Sequence, residues 1–208
     1  EAVATGSNLT FTTQFDALVG TAGNDSFAGL QSGAATETLS SYDSVDGGEG
    51  TDSITITNSA GAAFAAPSMT SIENVTYRAS AAGSDLDFDE IAGATTVVLS
   101  GITGATDFSD VLTSQNLTIE NSAANLDTTI TYKASTVEAA DDAATITLDG
   151  AGTNAEAIEL AGDVETINLV TSGDATRIND LVLDAQTTAL TIDAAVDFRV
   201  DTLLTAAG

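Results

Sequence analysis

The chain contains no cysteine, histidine or tryptophan and only one proline. Without cysteine it cannot form disulfides, use a catalytic thiolate or build most structural zinc sites. Without histidine it lacks the commonest general base and the commonest nitrogen ligand for metals. These absences exclude His-Glu-x-x-His zinc proteases, and the G-x-S-x-G elbow of lipases is also missing. We therefore predict that the protein is not an enzyme.

Positive charge is scarce as well. Only Arg78, Lys133, Arg177 and Arg199 are basic, against 31 acidic residues, and the formal net charge is −27. Nucleic acid is excluded as a partner because no basic stripe exists to contact phosphates. Aspartate accounts for 21 of the acids, and its short carboxylate suits oxygen cages around hard cations. A compact fold with this surplus of charge repels itself unless counter-ions bind.

Long apolar runs are also absent. No stretch approaches the roughly 18 apolar residues of a membrane helix, so we expect no membrane insertion. No charged segment followed by an apolar one opens the chain, as it would in a Sec-type signal peptide. The sequence is compatible with a cytosolic protein, a processed fragment or export by another route. Because 43% of the residues are apolar, a disordered acidic tail is excluded.

Short β-branched segments recur along the chain and alternate apolar with polar residues, which is the period of a half-buried strand. They lie at residues 53–57, 74–77, 95–100, 116–120, 128–132, 144–149, 165–170, 181–184 and 189–193. Two of them, taken with their flanking residues, resemble each other: SIENVTY at 71–77 and DVETINL at 163–169. The composition and these segments predict an all-β protein.

The spacing of the segments suggests stacked coils. Val98 and Thr118 are 20 residues apart, and both Val75 to Val98 and Ile167 to Leu190 span 23. A loose period of this length is typical of a solenoid, in which each coil buries its inner face against its neighbours. Between about 120 and 165 the segments come closer together, which two strands per coil or a sandwich with hairpins would explain. We predict a parallel β-solenoid, either a β-roll or a β-helix.

Two glycine-rich stretches indicate what the turns bind. GGEGTDSIT, residues 47–55, matches the nonapeptide G-G-x-G-x-D-x-U-x at every fixed position, and GTAGNDSFA, residues 20–28, is a weaker copy. Glycines permit positive φ, so a tight turn can point its carbonyl oxygens inward. Ca²⁺ takes about six to eight oxygen ligands, which two stacked turns could supply together. An ordinary glycine-rich β-turn is the alternative.

Further acidic residues are candidate ligands of the same ion or of a second one. Asp43 and Asp46 precede the second turn and either complete a shell or serve turn chemistry. Asp85, Asp87 and Asp89 fall on one face of a strand and either share a cation or form a solvated acidic face. The candidate metal ligands are Gly20, Ala22, Gly23, Asn24, Asp25, Asp43, Asp46, Gly47, Gly48, Glu49, Gly50, Asp52, Asp85, Asp87 and Asp89.

The order of features from residue 16 to residue 77 resembles the repeats-in-toxin (RTX) proteins. It consists of GTAGNDSF, a polar insert, DSVDGGEGTDSITI and SIENV. More narrowly, it resembles their surface-layer branch, the calcium-dependent lattice proteins of Gram-negative bacteria. The resemblance implies type I secretion, folding on calcium outside the cell, and self-assembly into a lattice anchored to surface polysaccharide or lipopolysaccharide.

These observations give a functional prediction with one alternative. We expect a secreted structural protein with calcium-binding Gly/Asp turns that forms a surface layer (S-layer). Residues 1–57 would be an RTX-like calcium-binding β-roll segment with an insert, and residues 58–208 a strand-repeat segment continuous with it. The alternative is a calcium-stiffened extension or glycan-binding module of a large RTX adhesin, with the same fold.

Overall fold

A computed structural model describes residues 4–91, 93–122, 127–138, 141–152 and 157–206. Within these ranges the strands form three sheets, and all neighbouring strands are parallel. The nine-stranded sheet, called the long sheet, contains β1 (Asn8–Thr10), β3 (Ser26–Gln31), β5 (Ser53–Asn58), β7 (Asn74–Ala79), β9 (Thr96–Ser100), β11 (Asn116–Glu120), β13 (Ala143–Asp149), β15 (Thr166–Ser172) and β17 (Ala189–Ala194). The three-stranded sheet contains β2 (Ala17–Val19), β4 (Ser44–Asp46) and β6 (Ser68–Thr70). The six-stranded sheet contains β8 (Leu86–Asp87), β10 (Thr106–Val111), β12 (Asp127–Tyr132), β14 (Ala157–Ala161), β16 (Thr176–Leu183) and β18 (Phe198–Thr205).

The strands stack as a β-solenoid of about eight turns with almost no helix, which confirms the predicted fold class. Two short 3-10 helices, Phe88–Ile91 and Ala134–Thr136, lie between strands. None of the helical segments in the described ranges has the length and apolar character needed to cross a bilayer.

The register of the long sheet shows the coils that the sequence spacing predicts. Val98 pairs with Thr118 and Ile167 pairs with Leu190. Val75 pairs with Val97, one residue before the partner that the spacing suggested. Along β5 and β15 buried and half-buried side chains alternate strictly, because successive residues of a strand point to opposite faces. Each coil therefore contributes one apolar row to a common core.

Each coil adds a strand to a second wall of the solenoid. The three-stranded sheet forms this wall up to Thr70, and the six-stranded sheet forms it from Leu86 onward. Two parallel strands per coil, rather than hairpins, account for the close spacing of strands between residues 120 and 165. The long sheet continues through β5 and β7, so the described parts of the segments 1–57 and 58–208 share it.

A group of aromatic rings fills the core where the second wall passes from the three-stranded to the six-stranded sheet. Tyr77 packs edge-on against Phe64 at 5.7 Å and against Phe108 at 6.4 Å between ring centroids. The Tyr77 hydroxyl accepts a hydrogen bond from Asn58 Nδ2 at 2.8 Å and donates one to the Ser84 carbonyl oxygen at 3.1 Å. These contacts satisfy its polar atom inside an apolar core.

Two buried tyrosines predict a loss of stability at alkaline pH. Burial raises the pKa of both Tyr77 and Tyr132 above the ordinary value of 10.0. The unfolded chain releases these protons first, so the stability they contribute is full below pH 10 and falls as the pH rises above it. We expect urea midpoints measured by circular dichroism to fall as the pH rises above about 10.

Replacing Tyr132 by phenylalanine tests this assignment. The Tyr132 hydroxyl is buried and has no hydrogen-bond partner in the described part of the chain. Removing an unpaired buried hydroxyl is nearly neutral or stabilising, so Tyr132→Phe should keep its stability at neutral pH. The variant should lose less stability than the wild type at alkaline pH. An identical pH dependence in both proteins contradicts the prediction.

Candidate metal centre

The two glycine-rich turns lie on neighbouring coils. Ser26 pairs with Ser53 and Phe27 pairs with Ile54, so the turn before β3 stacks on the turn before β5. The backbone N–H of Asp25 donates to Asp52 Oδ1 at 2.7 Å, across 27 residues of sequence. The spacing of the two motifs, with the polar insert looped out, predicts this arrangement.

The stacking leaves no room for side chains at two of the glycines. A methyl group at Gly20 would lie 2.1 Å from the carbonyl oxygen of Gly47, and one at Gly47 would lie 2.0 Å from the carbonyl oxygen of Ser71. Gly48 and Gly50 have φ of 92° and 125°, a region that favours glycine. The backbones of three successive coils are therefore closely packed at this corner of the solenoid.

A ladder of carboxylate-to-amide hydrogen bonds runs along the same corner. Asp25 accepts from the Ser7 N–H at 2.6 Å, Asp52 accepts from Asp25, and Glu73 accepts from the Asp52 N–H at 2.8 Å. Glu165 repeats the arrangement by accepting from the Asp142 N–H at 3.0 Å. The shared pattern of SIENVTY and DVETINL thus marks the same contact on two distant coils.

Asp25 has all of its carboxylate oxygens in use. Its Oδ2 accepts from the Thr21 N–H at 2.6 Å, and its Oδ1 accepts from the Ser7 N–H. The Thr21 N–H is the main cause that lowers the pKa of Asp25 below its ordinary value of 3.8, while burial opposes it. Asp25 is therefore an ionised acceptor for its own turn and for the preceding coil.

Asp52 differs from Asp25 in the hydrogen bonding of one carboxylate oxygen. The residue is 0% exposed, and its Oδ1 accepts from the Asp25 N–H. Its Oδ2 is buried without a hydrogen-bond partner among the described residues. This oxygen faces the second glycine turn, because a methyl group at Gly47 would lie 2.5 Å from it. An unpaired buried carboxylate oxygen is costly, and a cation would relieve that cost.

The donor atoms at this corner suit a hard cation. Asp52 Oδ2 has no hydrogen-bond partner among the described residues, and the Ser71 carbonyl oxygen lies near it, because both atoms are within 2.5 Å of a methyl group placed at Gly47. Carboxylate and carbonyl oxygens are the ligands that Ca²⁺ prefers. Imidazole and thiolate ligands are absent because the sequence has no histidine or cysteine. The sequence pattern nominates the backbone oxygens of Gly20, Gly23, Gly47, Gly48 and Gly50 as further ligands, and Asp52 would add its carboxylate.

The remaining turn residues take several positions. Asn24 Oδ1 accepts from the Thr51 N–H at 3.0 Å, which ties the two turns together. Ala22 and Glu49 are exposed. Asp46 Oδ1 accepts from the Gly48 N–H at 3.1 Å.

Asp43 lies at the other end of β4 from the second glycine turn. Its carboxylate accepts from the Asp16 N–H at 2.8 Å and from the Ser40 N–H at 2.7 Å. One oxygen is therefore used in its own turn and the other in a contact with the neighbouring coil.

A second acidic group forms on a later coil. Carboxylate oxygens of Asp87, Asp89 and Asp110 lie within 4.8 Å of one another. Lys133 Nζ forms a salt bridge with Asp89, so a cation already sits beside this group. Asp87 and Asp89 are exposed, and exposed acidic groups are common without a metal. The prediction that Asp85, Asp87 and Asp89 share one face of a strand is wrong, because β8 ends at Asp87 and Asp89 lies in a 3-10 helix. Asp85 precedes β8 and accepts from the Asp107 N–H at 2.8 Å.

Asp110 is the member of this group that the sequence did not single out. It sits in β10 at an irregularity of register between Phe108 and Val111, with φ of 54°. The bulge turns its side chain toward the end of β8, and we find no pattern in the sequence that signals it. Nearby, burial raises the pKa of Glu90, and the negative charge of Asp87 adds to the effect.

Comparison of the chain with protein-family models, with curated proteins and with solved structures finds no match.

Proposed function

We propose that this chain is a structural, calcium-dependent surface protein that is secreted and self-assembles into a lattice on a bacterial cell. The observation that carries the proposal is the buried, unpartnered Oδ2 of Asp52 inside two stacked glycine turns. Ca²⁺ bound there would neutralise the carboxylate and join the backbone oxygens of adjacent coils. The RTX-like order of motifs supports the same assignment.

The net charge of −27 links folding to calcium. Coils rich in aspartate repel one another, and a bound cation reduces that repulsion. A metal that binds the folded chain but not the unfolded one stabilises folding by mass action. Low calcium inside a cell would keep the chain extended for type I export, and higher calcium outside would fold it at the cell surface.

Self-assembly requires contacts that repeat without closing. The exposed carboxylates of Asp87 and Asp89 could share an ion with a neighbouring copy. Surface polysaccharide or lipopolysaccharide would anchor the lattice, as the family resemblance implies. The proposed role is structural and assigns no catalytic residue.

A calcium titration tests the proposal. Circular dichroism should show β-structure increasing with calcium, and negative-stain electron microscopy should show two-dimensional sheets at saturating calcium. Excess chelator should reverse both signals, while magnesium, which prefers a smaller octahedral site with retained waters, should act more weakly. Circular dichroism that is unchanged in excess chelator contradicts the proposal.

A calcium-stiffened extension of a large adhesin is the second candidate. It is favoured by the continuity of the long sheet, whose nine strands at about 4.8 Å spacing stack to a length of about 40 Å. A spacer of this kind would remain a separate rod. Isolated rods rather than sheets in the electron micrographs would select the adhesin over the lattice.

A further inference from the structure

Two aromatic side chains stand in solvent on the first two coils. Phe15 is 73% exposed and Tyr42 is 78% exposed, whereas Tyr77 is 0% exposed and Tyr132 4%. Single exposed apolar residues are normal, but exposed apolar side chains that lie together mark an interaction site. The metal centre uses neither residue.

The two rings occupy equivalent positions on successive coils. Ala17 of β2 pairs with Ser44 of β4, so Asp16 lies beside Asp43 and Phe15 beside Tyr42. Neighbouring strands are about 4.8 Å apart. The repeat therefore places two aromatic residues at equivalent positions on one edge of the solenoid, where both line the same groove. On the next coil Ala66 stands at the equivalent position, so the row of rings ends there.

Carboxylates fix the backbone beneath both rings. Asp43 is 3% exposed and binds the Asp16 N–H on one loop and the Ser40 N–H on the other. Asp16 Oδ2 in turn accepts from the Thr12 N–H at 2.6 Å. The loops at 12–16 and 40–43 are thus held before any ligand arrives, which lowers the entropy cost of binding.

The rings border an open groove of about 320 Å³. Its wall also carries hydroxyl and amide groups, from Thr13, Gln14 and Ser40. Aromatic faces beside a few polar groups suit a ligand with an apolar face and a rim of hydroxyl groups. A pyranose ring has this character, because its axial C–H bonds form an apolar face and its hydroxyls point outward.

Charge selects among the possible sugars. Asp16, Glu37 and Asp43 lie in or next to the groove, and the whole chain is strongly negative. Acidic polysaccharides would be repelled by these carboxylates. We propose that this groove, called the aromatic groove (Phe15, Tyr42 and the polar groups between them), binds neutral sugar residues of a polysaccharide. The inference deepens the proposed surface role, on which it rests for its biological partner.

Fluorescence provides a direct test, because the chain has no tryptophan and Tyr42 is its exposed tyrosine. Maltohexaose, cellohexaose and chitohexaose serve as neutral probes, and hexagalacturonate is the acidic comparison. At least one neutral probe should protect Tyr42 from acrylamide quenching in a saturable manner, and hexagalacturonate should not. Calorimetry then follows the variants, since Tyr42→Ala removes the fluorescent reporter.

Phe15→Ala and Tyr42→Ala should each weaken binding at least about tenfold, and the double variant should abolish it. Val19→Ala is the matched control: Val19 is 68% exposed on β2 and does not line the groove. Absence of saturable binding by the wild type, equal binding of the acidic probe, or equal binding by all variants overturns the inference. So does a double variant that loses self-association when no sugar binds, since the groove would then join two copies of the chain.

The same samples separate this inference from the proposed function. Wild-type protein that binds a neutral sugar but shows no calcium response refutes the calcium-dependent role and leaves the groove standing. Wild-type protein that responds to calcium but binds no sugar refutes the groove alone. The double variant should keep the wild-type calcium response, because Phe15 and Tyr42 precede β2 and β4 whereas the glycine turns follow these strands.

Discussion

Replacing Gly47 by alanine is expected to destabilise the first coils by at least about 3 kcal/mol. The new methyl group would lie 2.0 Å from the Ser71 carbonyl oxygen and 2.5 Å from Asp52 Oδ2. The first of these atoms is backbone and can move only if the neighbouring coil moves. Urea unfolding followed by circular dichroism, at saturating calcium, measures the loss.

Gly93→Ala is the matched control for this substitution. A methyl group at Gly93 would meet no atom within 4 Å, so the same chemical change should alter stability by less than about 0.5 kcal/mol. If Gly47→Ala and Gly93→Ala unfold at the same urea concentration, the two glycine turns are not packed as described.

The effect of Asp52→Asn on the free energy of unfolding is expected to reverse when calcium is added. Without calcium the variant should be as stable as the wild type or more stable, because it removes a buried negative charge whose Oδ2 has no partner among the described residues. Its amide oxygen can still accept the hydrogen bond from the Asp25 N–H. With calcium at about 100 times the dissociation constant the wild type should gain about 2.7 kcal/mol, and the variant should lose most of that gain.

Urea midpoints across a calcium titration measure this reversal. Asp193→Asn is the control, since it removes one negative charge from an exposed position on β17, far along the stack. That variant should gain as much stability from calcium as the wild type. Parallel titration curves for Asp52→Asn and the wild type would show that Asp52 does not hold the ion.

The sequence predicts the coils well because their signal is local and repeated. Alternating apolar residues mark each strand, and the strand spacing gives the pairs Val98 with Thr118 and Ile167 with Leu190. The shift to Val97 as the partner of Val75 depends on how the intervening corner is built. A 3-10 helix occupies that corner, and the periodicity of the strands does not reveal it.

The candidate metal site was predictable in part. The nonapeptide pattern identifies the glycine turns, and their spacing of 27 residues predicts that they stack. The pattern cannot distinguish Asp25 from Asp52, because the difference arises from the Thr21 N–H, which satisfies only Asp25. Asp110 lies close to Asp87 because of a bulge in a neighbouring coil, and the spacing of residues in the sequence does not predict that bulge.

The aromatic groove was missed although the sequence contains its signal. Phe15 and Tyr42 have the same separation as the glycine turns, and each directly precedes an aspartate. A search for residues at equivalent positions of the repeat would have found them. Their exposure could not be predicted, since aromatic residues at repeated positions more often belong to the core.

The change of sheet in the second wall divides the stack mechanically. In the described ranges β6 does not pair with β8, so the two parts are held together by the long sheet, the aromatic core and separate contacts such as the hydrogen bond from the Phe64 N–H to the Asp85 carbonyl oxygen at 2.8 Å. A pulling force along the stack would be borne there by one sheet instead of two. The coils with the glycine turns could then unfold under force as one cooperative unit while the remaining coils stay folded. The calcium-binding part would in that case unfold first.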